Sequence, residues 1–550
     1  MPGLLEKVIA YHDATKHHFH AYAPGPGFLD WTTQPDPFRR YPGCEILPLD
    51  KSPRADGPGY EQALIEGRVA PVAPGREAVS RLFHDSLALS AWKQAGTSRW
   101  SLRVNPSSGN LHPTEAYLIA GPVAGLLDAP AVCHYAPRIH ALETRARFST
   151  ELWRQLIAEL PPQTLLIGLS SIYWREAWKY GSRAFRYCQH DIGHAIAAFA
   201  FAAAALGWKA SLLEGSGDDA VAELLGLPHA PGPESERPEC LLAVYPQNHA
   251  SKTRSLPRAV IASIARSEWH GEPNTLSPSH RPWPIIDEVD KATHKPETVT
   301  PYITMPAPEP AEPASLDSSI PLRRLIHRRR SAVAMDGQTG LLSEGFYSIL
   351  LRCLPGMNRF PFNALPWPPT VNLLLFVHRV QHVPPGLYLL VRNPDHDADL
   401  RQMFNKAFDW IRPDACPDGL PLYRLAGGDC RRIAERVSCH QEIAADGMFA
   451  VAMLAGFEQP LKTYGPWFYR RLYWECGAIG QMLYLEAEAY GVQATGIGCF
   501  FDEPVHELLG LKARRYQSLY HFTLGRGVDD ARLTTLPPYP EKGRLPAERT

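Results

Sequence analysis

"YGSRAFRYCQHDIGHAIAAFAFAAAALGWKASLLEGSGDDAVAELLGL", Tyr180 to Leu227, decides the fold, because the chain writes it a second time. Tyr464 to Leu511 reads "YGPWFYRRLYWECGAIGQMLYLEAEAYGVQATGIGCFFDEPVHELLGL" and aligns without a gap. Tyr180-Gly181 meets Tyr464-Gly465, Arg186 meets Arg470, Gly193 meets Gly477 and Gly207 meets Gly491. Leu224-Leu225-Gly226-Leu227 meets Leu508-Leu509-Gly510-Leu511. Chance rarely aligns glycines over such a span, and the period is far beyond that of a solenoid. One domain is used twice.

Each copy gives the same coarse reading. An apolar helix opens near Gly193 or Gly477 and stops at Gly207 or Gly491, a helix C-terminal signal. A short β-like run follows ("KASLLEG", "QATGIGCFF"). Next comes an acidic helix start, Asp218-Asp219 or Asp502-Glu503, which complements the positive end of the helix dipole. A final strand closes each half, "CLLAVYP" from Cys240 and "LYHFTLG" from Leu519. Helices alternating with short strands indicate an α+β domain. Two copies in one chain imply a fused pseudo-dimer about an approximate two-fold axis.

The totals agree with this organisation. A chain of 550 residues is too long for one ordinary core. Apolar content of 45% and charged content of 21% are those of a soluble globular protein. A net charge of −1 gives no basic excess for nucleic acid or an acidic membrane surface, so neither is expected as a partner. The ten cysteines show no C-x-x-C and no metal spacing, and read as reduced thiols in a cytoplasmic protein. The first residues lack a basic-then-apolar signal layout. Ile192 to Trp208 carries no full charge and is short for crossing a bilayer, so a buried core helix is expected there. The Pro/Glu-rich tract from Lys295 to Ser319 resists both helix and sheet and reads as a semi-rigid connector. The expected division is a leader over 1–70, one domain over 71–285, a linker over 286–319 and a second domain over 320–545.

The chemistry gathers in a few loops. "NPSSGNLHPTEAYLIAG", Asn105 to Gly121, places hydroxyl and amide groups and a glycine directly before a strand. Such a loop suits the edge of a planar, hydrogen-bonding heterocycle. Its composition also fits a turn whose Asn and Ser satisfy local backbone. An arginine cluster, "HRRRSAVAM", opens the second half. It suits a phosphate, since guanidinium forks hold that group best, and equally a solvated helix face.

Together these segments resemble the nitroreductase-like FMN oxidoreductases. "PSSGNLHPTEAYLIAG" is similar to that family's serine/asparagine loop, and "SGNLHPTEAY" resembles the SagB-type dehydrogenase branch. "HRRRSAVAM" resembles the family's phosphate motif, and "YRRLYWECGAIGQMLYLEAEAYGVQATGIG" its interface helix and flavin-contacting loop. The first ~70 residues look like a leader common in tandem members. The resemblance implies FMN at the interface between the halves. It assigns Arg103, Pro106, Ser107, Ser108 and Asn110 to the ring edge. Arg329, Arg330, Ser331 and Arg532 are assigned to the phosphate, and Gly496, Ile497 and Gly498 to the N5 side. The first half lacks the arginine motif and the second has lost the serines, its counterpart loop being "FNALPWPPTVNLLLF" near Asn363 to Phe376. One complete flavin site and one vestigial site are therefore expected, in an intramolecular pseudo-dimer that one chain, as a monomer, can complete.

Lys179-Tyr180 resembles the Lys-Tyr pair of azoline-oxidising members and is the expected catalytic pair. A desolvated Lys or Tyr beside a flavin suits proton removal. The resemblance implies a small-molecule or peptide substrate and no metal, with NAD(P)H or O2 as electron partner. Two activities stay open, dehydrogenation of an azoline-like ring and NAD(P)H-driven reduction of nitro or quinone compounds. A third reading, from another class, is a scaffold that has lost catalysis. His194 and Glu475 read as structural. His112 reads either as near the ring or as packed behind the loop. Trp31, Arg39 and Arg40 either line an entrance or pack.

Overall fold

The computed structural model describes residues 3–51, 56–299, 320–356 and 359–539. Two long helices, Ala184–Ala204 and Phe468–Ala489, lie at its centre, buried along nearly their whole length. They open well before the glycines at which the sequence suggested their starts. Gly193 and Gly477 mark instead the point where the helices cross. A Cβ on Gly193 would collide with the backbone of Trp474, and one on Gly477 with the backbone of His190. Only glycine allows two helix backbones to touch so closely. The expected ends hold, with Gly207 at φ 67° and Gly491 at φ 70°. Gly226 and Gly510 close the acidic helices Asp218–Leu225 and Asp502–Leu509 in the left-handed conformation.

Each half is built on one antiparallel sheet, and the strand order is the same in both. In the first half, Ala141–Arg147, Ala131–Ala136, Thr114–Ala120, Leu165–Ser171, Arg237–Pro246 and Trp208–Leu212 lie side by side. An edge strand, Glu45–Pro48, adds a seventh position. In the second half the order is Leu422–Gly427, Gly386–Leu390, Val371–Val377, Phe449–Gly456, Tyr516–Gly525 and Gln493–Ile497. Side chains alternate across each sheet. Ala116, Leu118 and Ala120 join a central core shared with both long helices, whereas Tyr117 and Ile119 face an outer cluster. The two halves are therefore fused around one common core, an α+β architecture of two like domains.

Charged side chains tie the halves together symmetrically. Arg186 Nη1 donates to Asp502 Oδ1 at 2.8 Å, and its repeat partner Arg470 Nη2 donates to Asp218 Oδ2 at 2.5 Å. All four are buried. The first 70 residues form no separate unit. Helix Leu4–Ala14 wedges against both halves, where Tyr11 bonds the Ser182 carbonyl and His12 bonds Tyr469 and Gln517. Arg39 and Arg40 pack, bonding the carbonyls of Asn274 and Glu234 and the Glu143 carboxylate. Trp31 is 63% exposed and rests edge-on against Trp178.

The linker expected from 286 begins later than the sequence suggested. Pro284–Ala292 is a helix whose Ile286, Val289 and Ala292 are buried, because the proline falls in the first helical turn, where a missing N–H costs nothing. The proline-rich stretch 300–319 lies outside the described residues. At the other end, Thr534–Leu536 leaves the second half and pairs with Leu89–Ala95 of the first. Among the described residues no helix is long and apolar enough to cross a membrane.

Candidate active site between the two halves

Residues 105–112 turn from the strand Ser98–Arg103 into the strand Thr114–Ala120. Ser107 Oγ accepts the His112 N–H at 2.8 Å and faces Glu176 Oε1 at 3.5 Å. The Ser108 N–H donates to Asp191 Oδ1 at 3.3 Å. Gly109, at φ 59°, passes so near Tyr180 that a Cβ would stand 2.5 Å from its hydroxyl. Asn110 turns inward, donating to the Ser101 carbonyl at 2.7 Å and bonding His112 Nε2 at 2.8 Å. Asn110 and His112 therefore brace the loop from behind.

The strand Gln493–Ile497 faces this loop from the second half. Gly496 donates its N–H to the Tyr484 hydroxyl at 3.0 Å, and that hydroxyl also bonds Ser331 Oγ at 2.7 Å. Gly496 and Gly498 lie against the rings of Tyr520 and Tyr187, with no room for a Cβ. Between the two walls lies a cavity of about 280 Å³. The first half contributes Pro106, Ser107, Ser108, Gly109, Tyr180, Tyr187, Asp191 and His194 to its lining. The second half contributes Ser331, Gln441, Tyr484, Thr495 to Cys499 and Tyr520.

Eight residues singled out in the sequence share this cleft: Pro106, Ser107, Ser108, Tyr180, Ser331, Gly496, Ile497 and Gly498. The other candidate site residues are not part of its lining. Lys179 Nζ stands over the Tyr180 ring, 5.4 Å from the centroid. Arg103 bonds the carbonyls of Thr114 and Pro37. Arg330 caps the carbonyls of His327, Arg329 and Ser90. Arg329 is buried with its guanidinium 4.9 Å from the Tyr484 ring centroid. It donates to the carbonyls of Val104 and Arg103, while its Nη1 finds no hydrogen-bond partner among the described residues. Arg532, expected at the phosphate, sits instead on the surface. Its side chain is 86% exposed and folds back onto Asp530, two residues earlier, in a bidentate pair at 2.7 and 2.9 Å. The chain just after it, Thr534–Leu536, pairs with Leu89–Ala95, and Arg532 is not part of the cleft lining.

Two acids in this region were not singled out in the sequence. Asp191 is buried in the cleft wall, and its Oδ2 has no partner. Burial pushes its carboxyl up to about 8, against the Ser107 and Ser108 hydrogen bonds that lower it. Glu176 is raised well above the ordinary carboxyl range by burial and then by Asp191. Each of the two buried carboxyls thus favours its protonated form. Burial also lifts the Tyr180 phenol well above its usual value, so it keeps its proton. His194, read as structural, forms cleft wall and bonds Gln481 and Tyr520. Burial lowers its pKa to about 3, so it is neutral.

The symmetry-related cleft is plugged. The repeat partners of Tyr187 and Gly498 are Arg471 and Glu214, and there they form a buried ion pair at 2.8 Å. Residues 295–298 lie over this pair. The Thr298 N–H bonds the Gly215 carbonyl, the Asp218 N–H donates to the Lys295 carbonyl, and the Lys295 N–H donates to Asp218 Oδ2, while Lys295 Nζ stands 4.9 Å from the Trp467 ring centroid. Glu475, the partner of Asp191, is saturated by Thr370, Val371 and Arg392.

A model of the nitroreductase family matches residues 76–244 and 384–526, once in each half. A search of curated proteins found no match. Among solved structures, a nitroreductase-like protein of Anabaena variabilis superposes with a TM-score of 0.70 at 22% identity, covering 95% of this chain and 99% of its own. The E. coli microcin synthetase McbBCD complex with truncated pro-MccB17 bound gives 0.29 at 18% identity, over 37% and 70%. A nitroreductase-like protein of Exiguobacterium sibiricum in complex with FMN gives 0.24 at 12% identity, over 43% and 100%.

Proposed function

Because the chain belongs to the nitroreductase family of oxidoreductases, we propose that it works with a single FMN held in the composite cleft. Bound there, the flavin would supply hydride transfer to or from a small-molecule or peptide substrate of the azoline class. One observation carries this reading: the two halves, equal in fold, are unequal in their clefts. One cleft keeps glycines at 109, 496 and 498, hydroxyls at Ser107 and Ser331, and the free carboxylate oxygen of Asp191. The other is closed by Glu214 and Arg471.

The residues present fit the cofactor. The three glycines let the tyrosine rings of the walls pack directly on the backbone, and the serine loop offers a polar edge. Arg329 has a buried, unpartnered N–H, and its guanidinium stands 4.9 Å from the ring centroid of the cleft residue Tyr484, so it is suited to a phosphate oxygen. The tyrosine rings of the walls exclude water. Tyr180, kept protonated by burial, serves as a hydrogen-bond donor to the substrate. The Asp191 carboxyl, raised to about 8 by burial, is suited to take up or return a proton in the cleft. Lys179 Nζ stands over the Tyr180 ring and orients it. The azoline class rests on the resemblance of the Lys179-Tyr180 pair and "SGNLHPTEAY" to azoline-oxidising members.

Flavin content tests the reading. The purified protein is expected to show flavin absorbance at one FMN per chain. Arg329→Ala should lower that occupancy, and Arg532→Ala should leave it unchanged. Two flavins per chain, or a protein that refuses added FMN, would remove the single-cleft assignment.

A further inference from the structure

The cleft wall carries a second redox-capable group. Cys499 follows Gly498 directly and lines the cavity. Its Sγ lies 2.6 Å from Sγ of Cys439, which belongs to a different segment. The two segments are pinned on both sides of the sulfurs. Gln441 Nε2 donates to the carbonyls of Cys499 at 3.0 Å and Ser438 at 2.8 Å, and the Phe501 N–H donates to the Val437 carbonyl at 2.8 Å. Cys439 and His440 both adopt positive φ, 56° and 57°. Two consecutive non-glycine residues hold that conformation only where the surroundings impose it, and here it aims Cys439 at Cys499. The surroundings also set the proton. The Cys439 hydrogen bond, with help from His17 and Arg183, brings the Cys499 thiol down to about 5 against its burial. Cys439 is raised by the same hydrogen bond and by burial. A thiolate at Cys499 thus faces a protonated thiol at Cys439. Six of the other cysteines, by contrast, are buried.

We infer that Cys439 and Cys499 form a reversible dithiol–disulfide centre in the cleft wall, reactive toward small disulfides. The thiolate of Cys499 attacks one sulfur of a small disulfide, forming a mixed disulfide and expelling a thiolate. Cys439 gives its proton to that thiolate and attacks Cys499 Sγ, expelling the second thiolate. The protein pair loses two electrons, and the small disulfide gains them as one thiol and one thiolate. The thiolate, not the thiol, is the attacking species, which is why the lowered pKa of Cys499 matters. The centre neither needs nor implies a bound flavin, so it stands apart from the cofactor assignment.

Thiol counting on the full chain tests this. Protein equilibrated with oxidised glutathione, quenched with acid and denatured, is expected to lose two of its ten thiols. Non-reducing peptide mapping should then join the peptides of Cys439 and Cys499, and dithiothreitol should restore the count. Cys439→Ser should stop at a mixed disulfide on Cys499, whereas Cys499→Ser should lose no thiol from Cys439. At pH 6, limiting iodoacetamide should label Cys499 at least tenfold faster than Cys416, which is also partly exposed. A full count after oxidation, a linkage between other cysteines, or equal alkylation of Cys499 and Cys416 would each overturn the inference. Flavin content measured on the same samples keeps the two questions apart, because loss of FMN leaves the thiol count untouched.

Discussion

Asp191 has one carboxylate oxygen on the Ser108 amide and the other buried without a partner, and this shapes how the protein responds to pH. Its folded pKa is raised above the unfolded value by burial. Between pH ~4 and pH ~8 the native chain holds a proton that the unfolded chain has lost, so stability falls as pH rises through that window. Asp191→Asn should flatten the slope of melting temperature against pH and slow turnover more than it weakens substrate binding. Equal slopes for mutant and wild type would show that the carboxyl is ionised throughout. The serine loop was legible in the sequence because its residue types are unusual before a strand. Asp191 and Glu176 were not, because a helix buried on every side has no polar face to show which residues meet a cleft. The one available cue was that Asp191 closes the uncharged run Ile192 to Trp208. Arg532 misled for the opposite reason: a motif gives an arginine's place in the chain, and Asp530 claims it locally.

At the scale of the element, the crossing of the two long helices depends on Gly193 and Gly477, whose backbones touch. Gly193→Ala forces a methyl into the opposing helix and should cost about 1–3 kcal/mol, the usual range for overpacking. Gly491 has open space around it but a φ of 70°. Alanine there should cost roughly 1–2 kcal/mol from backbone conformation alone. Urea denaturation of both variants checks the pair, and a Gly193→Ala protein as stable as wild type would mean the helices can part freely. Helix ends were readable from sequence because left-handed C-terminal residues select glycine at 207, 226, 491 and 510. The starts were not, since Arg183 and Trp467 lead into their helices without a capping side chain. The repeated strand order follows from the repeated sequence, whereas the pairing of Thr534–Leu536 with the first half has no counterpart in the duplicated stretch.

For the whole molecule, the symmetric pairs Arg186–Asp502 and Arg470–Asp218 bolt the halves together. Burial opposes the charge on Asp502, but Arg183 and Arg186 outweigh it and hold its carboxyl well below the usual range. That stability is present above the ordinary carboxyl pKa and is lost as pH falls through the folded one. Asp502→Ala leaves two buried guanidiniums short of a partner and should cost about 3–5 kcal/mol. Because the core is shared, unfolding should remain a single transition in calorimetry, and two resolved transitions would show that the halves are held by little else. Duplication itself was plain in the sequence, but how the spare cleft is disposed of was not, since the Glu214–Arg471 pair joins residues far apart in the chain.

The Glu214–Arg471 plug has an evolutionary reading. In a homodimer every substitution is written into both pockets at once, so an arginine that bridges one cleft shut would shut its mate as well. Covalent fusion lifts that restriction. Each gene segment can drift alone, one toward chemistry and the other toward bracing, and a lesion fatal to an ancestor with two equal pockets becomes a rivet in its descendant.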